Sequence, residues 1–349
     1  MKKQKLLTIF FTVIFITVFS IFNFSEYKDF HTNKKNISEK QIKIKNNIKN
    51  FELNDIKNLQ QTQIYSTPSK SLLEEIVKLI NEAKKEIYLE TYIFTEKRIQ
   101  SALIDAYKKW IKIKIILEKS PYMAYNINNK TYNKLKKTWI DIVWSNSDNY
   151  SFNHSKILLI DDLSIISTGN FSYSTFTKNR DFFIFTNDNK INSKLKENFS
   201  NDYNWIKINI FDENLIFSPK TWRIKFEKLL NWAKNSIKIY FQYLKDDEFV
   251  NQLIKLKKEK NLDIKIIIPK TAKNDKNIVK LKNTWANIKV YEKYKIHSKA
   301  ILIDENYLFI WSINCSNYSL DKNREAWILL INENIINKFV TIFNNDFLK

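Results

Sequence analysis

The chain contains one short stretch twice, first as His154-Ser155-Lys156-Ile157-Leu158-Leu159-Ile160-Asp161 and then as His297-Ser298-Lys299-Ala300-Ile301-Leu302-Ile303-Asp304. Two of the chain's three histidines begin these copies. Each copy has the pattern H-x-K-x4-D and is followed by an asparagine, Asn170 or Asn314. Chance placement is a poor explanation for two copies of so specific a pattern.

The four residues between the lysine and the aspartate of each copy are apolar and typical of a buried strand. Side chains alternate between the two faces of a strand, so the histidine and the lysine of each copy share one face. Asp161 and Asp304 have the opposite parity, which predicts structural work behind the strand. A lysine beside a histidine repels a metal ion, so the pattern predicts a site for an anion.

The pattern resembles the signature HxKxxxxDxxxxxxGSxN of the phospholipase D superfamily. The second copy continues as Trp311-Ser312-Ile313-Asn314, with tryptophan in place of glycine. The first continues as Thr168-Gly169-Asn170, one residue short of the usual spacing. The resemblance covers roughly residues 62–349. It implies a catalytic set drawn from both copies: His154, Lys156, Asp161, Asn170, Asp181, His297, Lys299, Asp304, Asn314 and Glu325.

A second pair of matching stretches follows the two copies. Asn179-Arg180-Asp181 follows the first copy and Asn323-Arg324-Glu325 follows the second at nearly the same distance. Members of the resembled family carry an acidic residue there, hydrogen-bonded to the catalytic histidine. The resemblance therefore implies that Asp181 and Glu325 fix the two imidazole tautomers.

Strand-like and helix-like segments alternate in the same order in two successive parts of the chain, residues 61–208 and 209–349. This alternation predicts α/β units with a largely parallel sheet. With the resemblance, the predicted fold is α/β with a duplicated phospholipase D-like domain, two α/β halves related by a pseudo-two-fold axis. At the start of the first helix, Ser71-Leu72-Leu73-Glu74 has the pattern of a capping box.

The formal net charge is +21, from 58 basic and 37 acidic residues. This charge favours an anionic partner, either a phospholipid surface or nucleic acid. A compositional cause is equally compatible, because lysine, asparagine and isoleucine are abundant throughout, as an AT-rich genome dictates. The single cysteine, Cys315, excludes an intramolecular disulfide.

The N-terminal region has the pattern of a membrane anchor. Residues 6–24 are predominantly apolar and close to the length of about 20 residues that crosses a bilayer as a helix. Lysines within residues 1–5 favour a cytoplasmic N-terminus, so we expect a single-pass signal anchor and an extracytoplasmic catalytic part. A cleaved signal peptide and secretion are the alternative. Residues 25–60 are predicted to be a linker.

The residue types suit cleavage of a phosphodiester, an anion that repels nucleophiles. Such cleavage needs cationic donors, a nucleophile and an acid for the leaving oxygen. Two lysines and two asparagines supply donors, and two histidines supply the nucleophile and the acid. The resemblance implies two steps through a phosphohistidine, with His154 as nucleophile and His297 as acid. We expect no cofactor and no metal, because no acidic cluster of metal-binding spacing accompanies the motifs.

The predicted function is a membrane-anchored phospholipase D-like phosphodiesterase that hydrolyses or transfers phosphatidyl groups. Its expected partners are a phospholipid or another phosphodiester, and the membrane through residues 6–24; no obligatory protein partner is inferred. Tyr122, Tyr125 and Tyr150 are weaker candidates for a substrate mouth. One alternative is a membrane-anchored nuclease of the same superfamily, which the positive charge suits. Another is a non-catalytic module that binds anionic lipid or nucleic acid.

Overall fold

The computed structural model describes residues 42–44, 46–47, 50–207, 210–219, 222–284, 286–312, 314–315 and 322–348. The strands are β1 Thr62–Ser66, β2 Glu86–Thr91, β3 Lys112–Leu117, β4 Asp141–Trp144, β5 Lys156–Ile160, β6 Leu163–Ser167, β7 Asn179–Arg180, β8 Phe182–Thr186, β9 Leu215–Phe217, β10 Ser236–Phe241, β11 Asp263–Pro269, β12 Asn287–Tyr291, β13 Lys295–Ile296, β14 Lys299–Ile303, β15 Tyr307–Trp311 and β16 Ala326–Leu330. The helices are α1 Lys70–Glu82, α2 Lys97–Lys108, α3 Asn129–Lys136, α4 Tyr173–Thr177, α5 Asn189–Tyr203, α6 Trp222–Asn231, α7 Asp247–Lys260, α8 Lys276–Lys282 and α9 Glu333–Leu348.

Two seven-stranded sheets carry the fold, and their strand orders match element for element. The first sheet has the order β1-β8-β6-β5-β2-β3-β4, and the second has the order β9-β16-β15-β14-β10-β11-β12. Each copy of the H-x-K-x4-D stretch supplies the central strand of its sheet, β5 or β14. The prediction of a duplicated α/β domain is therefore confirmed.

The prediction of largely parallel sheets is wrong. In the first sheet only the β2–β3 and β3–β4 pairs are parallel, and the other pairs are antiparallel. The second sheet repeats this arrangement. Strand–helix alternation correctly predicts the parallel part, but each motif strand runs into a tight hairpin instead of a crossover helix, and a hairpin makes antiparallel neighbours.

The core has three layers of apolar contacts. Helices α1 to α3 cover one face of the first sheet, where Ile76, Leu103 and Ile115 are fully buried. Helices α6 to α8 cover the second sheet in the same way. The remaining faces of the two sheets pack against each other and against α5 and α9. Each fully buried aliphatic side chain contributes about 1.5–3 kcal/mol, so this shared middle layer holds the two halves together.

Helix α1 begins earlier than the predicted capping box. The N-cap is Ser69, whose hydroxyl accepts a hydrogen bond from Leu72 N–H at 3.1 Å. Ser71 lies inside the first turn. The capping pattern indicated the correct turn but placed the cap two residues too late, because two serines compete for the position.

Part of the predicted linker is packed. Residues 50–349 belong to one compact unit, and within it Phe51, Ile56 and Leu59 are buried. The apolar side chains at these positions account for the packing, since they leave water on folding. The structured body therefore begins near residue 50 instead of residue 61. The predicted signal anchor, residues 6–24, lies outside the described residues, and no helix in the described part of the chain is long and apolar enough to cross a bilayer.

Candidate active site

The two motif histidines lie where the two halves exchange short backbone contacts. Strand β13, directly before His297, pairs in parallel with β7 of the first half. At the equivalent place Asn153, directly before His154, forms a bridge with Arg324 of the second half. The His154 N–H donates to the Arg324 carbonyl at 2.8 Å, and the His297 N–H donates to the Arg180 carbonyl at 3.2 Å. Each histidine is thus positioned by the opposite half.

The same exchange pairs each imidazole with a carboxylate of the other half. His154 Nδ1 lies 2.9 Å from Glu325 Oε2, a contact that spans 171 residues of sequence. His297 Nδ1 lies 2.9 Å from Asp181 Oδ1 and 3.1 Å from Oδ2, across 116 residues. The family resemblance implied acid–histidine pairs, and the structure shows that both pairs cross between the halves.

Both carboxylates are fully buried and held by a hydroxyl. Thr168 Oγ1 donates to Asp181 at 2.7 Å, and Ser312 Oγ donates to Glu325 at 2.5 Å. Burial by itself raises the pKa of each carboxyl, but the partner histidine and a nearby lysine outweigh it and hold both pKa values below the usual range. Ionised carboxylates accept hydrogen bonds, so each Nδ1 carries the proton and each Nε2 carries the lone pair of the ring.

Both imidazoles are neutral at neutral pH. Burial lowers the pKa of His154 to about 4, and the charges of Lys156 and Lys299 act in the same direction. Burial likewise lowers the pKa of His297 to about 4, helped by the same two lysines. His297 keeps 14% of its side chain exposed against 7% for His154. Neutral imidazoles with an unprotonated Nε2 are suited to act as nucleophile or base.

Two buried lysines accompany the imidazoles. Lys299 Nζ lies 3.3 Å from both ring nitrogens of His297. Lys156 Nζ donates to the His154 carbonyl and lies 5.4 Å from the centre of the Tyr92 ring. Burial lowers the pKa of Lys299 to about 8, and it lowers that of Lys156 well below the usual range. An arriving anion raises a neighbouring lysine pKa, so substrate entry favours the charged ammonium groups.

Two asparagine side chains near the histidines hold buried acceptor oxygens. Asn170 Oδ1 and Asn314 Oδ1 are buried without a hydrogen-bond partner among the described residues. Buried polar atoms are normally paired, and exceptions mark places prepared for a ligand or a water molecule. Each asparagine lies two positions after the hydroxyl residue, Thr168 or Ser312, that donates to a site carboxylate. The amides therefore belong to the same region as the two histidine–carboxylate pairs.

The shorter spacing of the first motif is absorbed in its hairpin. The turn between β5 and β6 consists of Asp161 and Asp162, whereas the turn between β14 and β15 has one residue more. Beyond the turn the halves return to register, and Thr168 and Ser312 make the same contact with their carboxylates. Asn170 is therefore the structural equivalent of Asn314.

Gly169, the chain's single glycine, is required by a close approach to the site. A Cβ atom at this position would lie 2.7 Å from Thr175 Cγ2 and 2.8 Å from Asp181 Cγ. Real Cβ atoms essentially never come so close, so any side chain at Gly169 displaces the carboxylate that orients His297.

Asp161 and Asp304 lie at the far ends of the motif strands, away from the histidines. The Asp161 carboxylate accepts hydrogen bonds from the N–H groups of residues 84, 85 and 86 at 2.7, 2.8 and 3.0 Å. The Asp304 carboxylate accepts the equivalent bonds from residues 234, 235 and 236. Both residues have positive φ, which aspartate tolerates in a tight turn. Their place in the catalytic set of the motif is therefore corrected to a structural one, in line with their strand parity.

Two arginines lock the crossed segments. Arg180 forms a bidentate pair with Asp346 of α9, with Nε–Oδ2 at 2.7 Å and a second bond at 2.9 Å. Arg324 donates from Nε to Asp202 of α5 at 2.7 Å. Each arginine precedes a site carboxylate by one residue, so it fixes that carboxylate's backbone. The repeated Asn-Arg-acid pattern in the sequence indicated that the two arginines have equivalent places, although it did not show which acids they bind.

Tyr92 is a site residue that the sequence did not single out. It follows β2 directly, and its ring lies 4.4 Å from the His154 ring in an edge-on arrangement. No cluster of three or more His, Cys, Asp or Glu side chains placed to hold a metal ion occurs within the described ranges.

Comparison with known proteins fixes the family. The family model described as "Cardiolipin synthase, PLD-like domain" matches residues 76–203 and 226–347, one match for each half. This chain belongs to the PLD-like domain family. Its two matched segments each contain one H-x-K-x4-D copy and its crossing acidic residue.

Curated relatives are similar at low identity. A cardiolipin synthase of Clostridium perfringens (strain 13 / Type A) is 25% identical over 317 residues, covering 76% of this chain and 66% of that protein. A phospholipase D of Rickettsia conorii is 24% identical over 183 residues, covering 52% of this chain and 86% of that protein. The chain thus spans just under two thirds of the length of the first of these relatives.

Solved structures share the fold. A phosphatidylserine synthase of Haemophilus influenzae superposes with a TM-score of 0.69 at 12% identity, covering 88% of this chain and 90% of that one. A polyphosphate kinase of Porphyromonas gingivalis superposes with a TM-score of 0.62 at 16% identity, covering 81% of this chain and 50% of that one.

Proposed function

We propose that this protein is a phosphodiester-cleaving enzyme that hydrolyses or transfers phosphatidyl groups through a phosphohistidine. The observation that carries the proposal is the crossed arrangement of two buried imidazoles, each held by a carboxylate on Nδ1 with a lone pair on Nε2. Two buried lysines accompany them. The names of the similar proteins, a cardiolipin synthase and a phospholipase D, support a phospholipid as the substrate.

In the proposed first step, Nε2 of His154 attacks the phosphorus, and the bond from phosphorus to the leaving oxygen breaks. Entry of the anionic substrate raises the pKa of His297, so its Nε2 takes up a proton from solvent and then passes it to the leaving oxygen. Lys156 and Lys299 offset the charge on the phosphoryl oxygens, and such preorganised donors supply a large share of catalysis. The Asn170 and Asn314 amides donate to the same oxygens.

In the second step, water or an alcohol attacks the phosphorus and gives its proton to His297. The bond between phosphorus and His154 then breaks, which restores the neutral imidazole of His154 and leaves His297 protonated, as it was at the start of the first step. The roles of nucleophile and acid follow the family resemblance, because the two histidine–carboxylate pairs have nearly the same geometry. Protein that is quenched during turnover can be digested and searched for the peptide that carries the covalent phosphorus-containing group. A modified peptide that contains His154 supports the assignment, and one that contains His297 reverses it.

The deciding experiment supplies the full-length protein with labelled phospholipid and a short primary alcohol. An intermediate on His154 does not retain the leaving group, so product should divide between phosphatidic acid and the phosphatidyl alcohol. His154→Ala and His297→Ala should abolish both products, and His31→Ala, at the third histidine, serves as the matched control.

The nuclease alternative is tested in the same experiment with single-stranded DNA, because the charge of +21 also suits a phosphate backbone. DNA cleavage that depends on both histidines, without head-group release from any phospholipid, would replace the lipid proposal. If the wild-type protein forms neither product, the non-catalytic binding module is the remaining function.

We also propose that residues 6–24 hold the enzyme at a membrane with its catalytic part outside the cytoplasm. The apolar run preceded by lysines supports this topology. Protease added to intact cells should digest the catalytic part, and full protection in cells with an accessible outer surface would contradict it.

A further inference from the structure

A loop beside the candidate active site exposes four large apolar side chains. The rim loop, defined here as Ser120–Ile127, connects β3 to α3. Within it Tyr122, Met123, Tyr125 and Ile127 are 66, 80, 61 and 42% exposed. Exposed apolar residues scattered singly are normal, but a group of them in one loop marks an interaction site.

The rim loop is in contact with the residues around His154. The parallel strands β2 and β3 end at the same edge of the sheet, and Tyr92 follows β2 there. The Tyr122 N–H donates to the Tyr92 hydroxyl at 2.6 Å, and the Tyr92 ring lies 4.4 Å from the His154 ring. One residue therefore separates the loop backbone from the proposed nucleophile.

Buried polar groups fix the loop backbone while its apolar side chains face solvent. The fully buried Asn128 donates from Nδ2 to the carbonyls of Tyr92 and Glu118 at 2.7 and 2.8 Å. Glu118 accepts from the Ser120 N–H at 3.0 Å and, through its second oxygen, from the Asn153 N–H at 2.7 Å. The apolar exposure is thus built into an ordered loop that is tied to the residue before His154.

The backbone of the loop has one unusual position. Met123 has a φ of 57°, a left-handed value that is uncommon outside glycine, asparagine and aspartate. Such conformations persist when the surroundings impose them, and they cluster at functional sites. Here the conformation accompanies the most exposed apolar side chain of the rim loop.

The equivalent loop of the second half carries lysines in place of the large apolar side chains. The connection between β11 and α8 contains no large apolar residue and exposes Lys270 and Lys273. Nearby on the same edge, Lys245 and Tyr243 lie exposed after β10, and the Lys245 ammonium lies 5.5 Å from the centre of the Tyr243 ring. The mouth of the site therefore has an apolar side and a cationic side, which complement the acyl boundary and the anionic head groups of a bilayer.

We propose that the rim loop docks the active site on an anionic phospholipid bilayer. Tyr122 and Tyr125 lie at the level of the head groups, Met123 and Ile127 enter the acyl boundary, and the lysines of the second half contact head-group phosphates. The proposal rests on the proposed phospholipid substrate. Single-stranded nucleic acid is the less favoured occupant, because bases stack on aromatic rings and the loop adds two aliphatic side chains to its aromatic pair.

The first test follows the environment of the loop in the full-length protein. Met123→Cys is labelled with a polarity-sensitive fluorophore, since the single native cysteine, Cys315, is buried. The matched control is Trp139→Cys, whose side chain is 85% exposed before β4, at the opposite edge of the same sheet. Vesicles of phosphatidylglycerol and phosphatidylcholine should shift emission to the blue at position 123 and not at position 139. No shift, or equal shifts at both positions, would overturn the proposal.

The second test separates docking from chemistry. Tyr122→Ser, Met123→Ser, Tyr125→Ser and Ile127→Ser are combined, and a Trp110→Ser and Trp139→Ser double variant removes exposed apolar residues at the opposite edge. Turnover of a short-chain phosphatidylglycerol is measured once with the lipid incorporated in vesicles and once with it dissolved as monomers. The ratio of the first rate to the second should fall about tenfold or more in the loop variant, because less apolar surface leaves water on docking. The control double variant should keep the wild-type ratio. An unchanged ratio in the loop variant contradicts docking.

The two proposals fail differently. If wild-type protein turns over no phospholipid, the proposed function fails, while the emission shift still tests the docking loop. If single-stranded DNA shifts the emission at position 123 and anionic vesicles do not, the loop serves nucleic acid and the lipid proposal is wrong.

Discussion

The two halves of the molecule are nearly identical where they meet and different where they face solvent. At the interface, each half gives a histidine to the other half's carboxylate, and each gives an arginine to a carboxylate on the other half's last helix. At the mouth, one half presents apolar side chains and the other presents lysines. The comparison shows that the symmetry of the two halves is kept around the histidine–carboxylate pairs and lost at the solvent-facing mouth.

The largest effect is expected at the crossed carboxylates. Asp181→Asn and Glu325→Gln keep the side-chain shape but replace the ionised acceptor, so the Nδ1 proton is no longer fixed and the wrong tautomer is favoured. By analogy with the same change in a serine protease triad, kcat should fall by about 10³–10⁴. Steady-state kinetics on the phospholipid substrate measures this. Equal losses in the two variants support a symmetric site, and a loss in only one would show that a single histidine–carboxylate pair carries the reaction.

A smaller loss is expected when the interface stays intact but one carboxylate moves. Gly169→Ala places a methyl group against Asp181, and a misplacement of about 1 Å can lower a rate by about 10². Thr168→Ser, which keeps the hydroxyl on the same carboxylate, is the matched control. A wild-type kcat in a Gly169→Ala protein that is fully folded by circular dichroism would contradict the expectation that displacing Asp181 slows the reaction.

The turn aspartates should affect stability instead of chemistry. Asp161→Ala removes three backbone N–H hydrogen bonds to a charged acceptor and should cost about 1–3 kcal/mol of unfolding free energy. Chemical denaturation measures this, with Asp162→Ala in the same turn as control. A drop in kcat of the folded Asp161→Ala protein by a factor comparable to the site carboxylates would show that Asp161 belongs to the site after all.

The pH dependence at Asp161 has a defined sign. Burial raises the pKa of this carboxyl, but the hydrogen bonds from the residue 84, 85 and 86 amides and the charge of Lys85 outweigh it, and the folded pKa is lowered. A lowered pKa gives stability that is present above the unfolded pKa and is lost as pH falls through the folded one. The difference between wild type and Asp161→Ala should therefore shrink in acid.

A local asymmetry in the buried interface predicts a change in the pH dependence of stability. Glu90 in β2 occupies the position of Tyr240 in β10, whose hydroxyl donates to Asp346 at 2.8 Å. Burial and the neighbouring Asp202 raise the pKa of Glu90 to about 8. A raised pKa gives stability that is full below the unfolded value of about 4.5 and is lost as pH rises towards about 8. Glu90→Gln should flatten this slope between pH 5 and pH 8, as thermal unfolding at the two pH values would show. If the wild-type protein and Glu90→Gln show the same slope of stability against pH, Glu90 has no role in the pH dependence.

The sequence predicted what depends on local periodicity and on repetition. The duplication, the motif strands and the opposite parity of Asp161 all follow from a few consecutive residues. The crossing of Asp181 to His297 does not, because spacing along one half carries no information about which half a side chain will meet. The antiparallel part of each sheet was missed for a related reason, since strand–helix alternation says nothing about a hairpin. Tyr92 was missed because one tyrosine after a strand has no distinctive pattern.

The crossed contacts also set the point during synthesis at which the proposed site can form. The His154 imidazole has its carboxylate partner only after Glu325 has been synthesised, and the Arg180 side chain has its partner only after Asp346 has been synthesised. A chain that stops between the two motifs therefore carries the complete first motif without the carboxylate that holds its imidazole. The proposed site can form only after Glu325 has been synthesised, although the first motif is complete more than a hundred residues earlier.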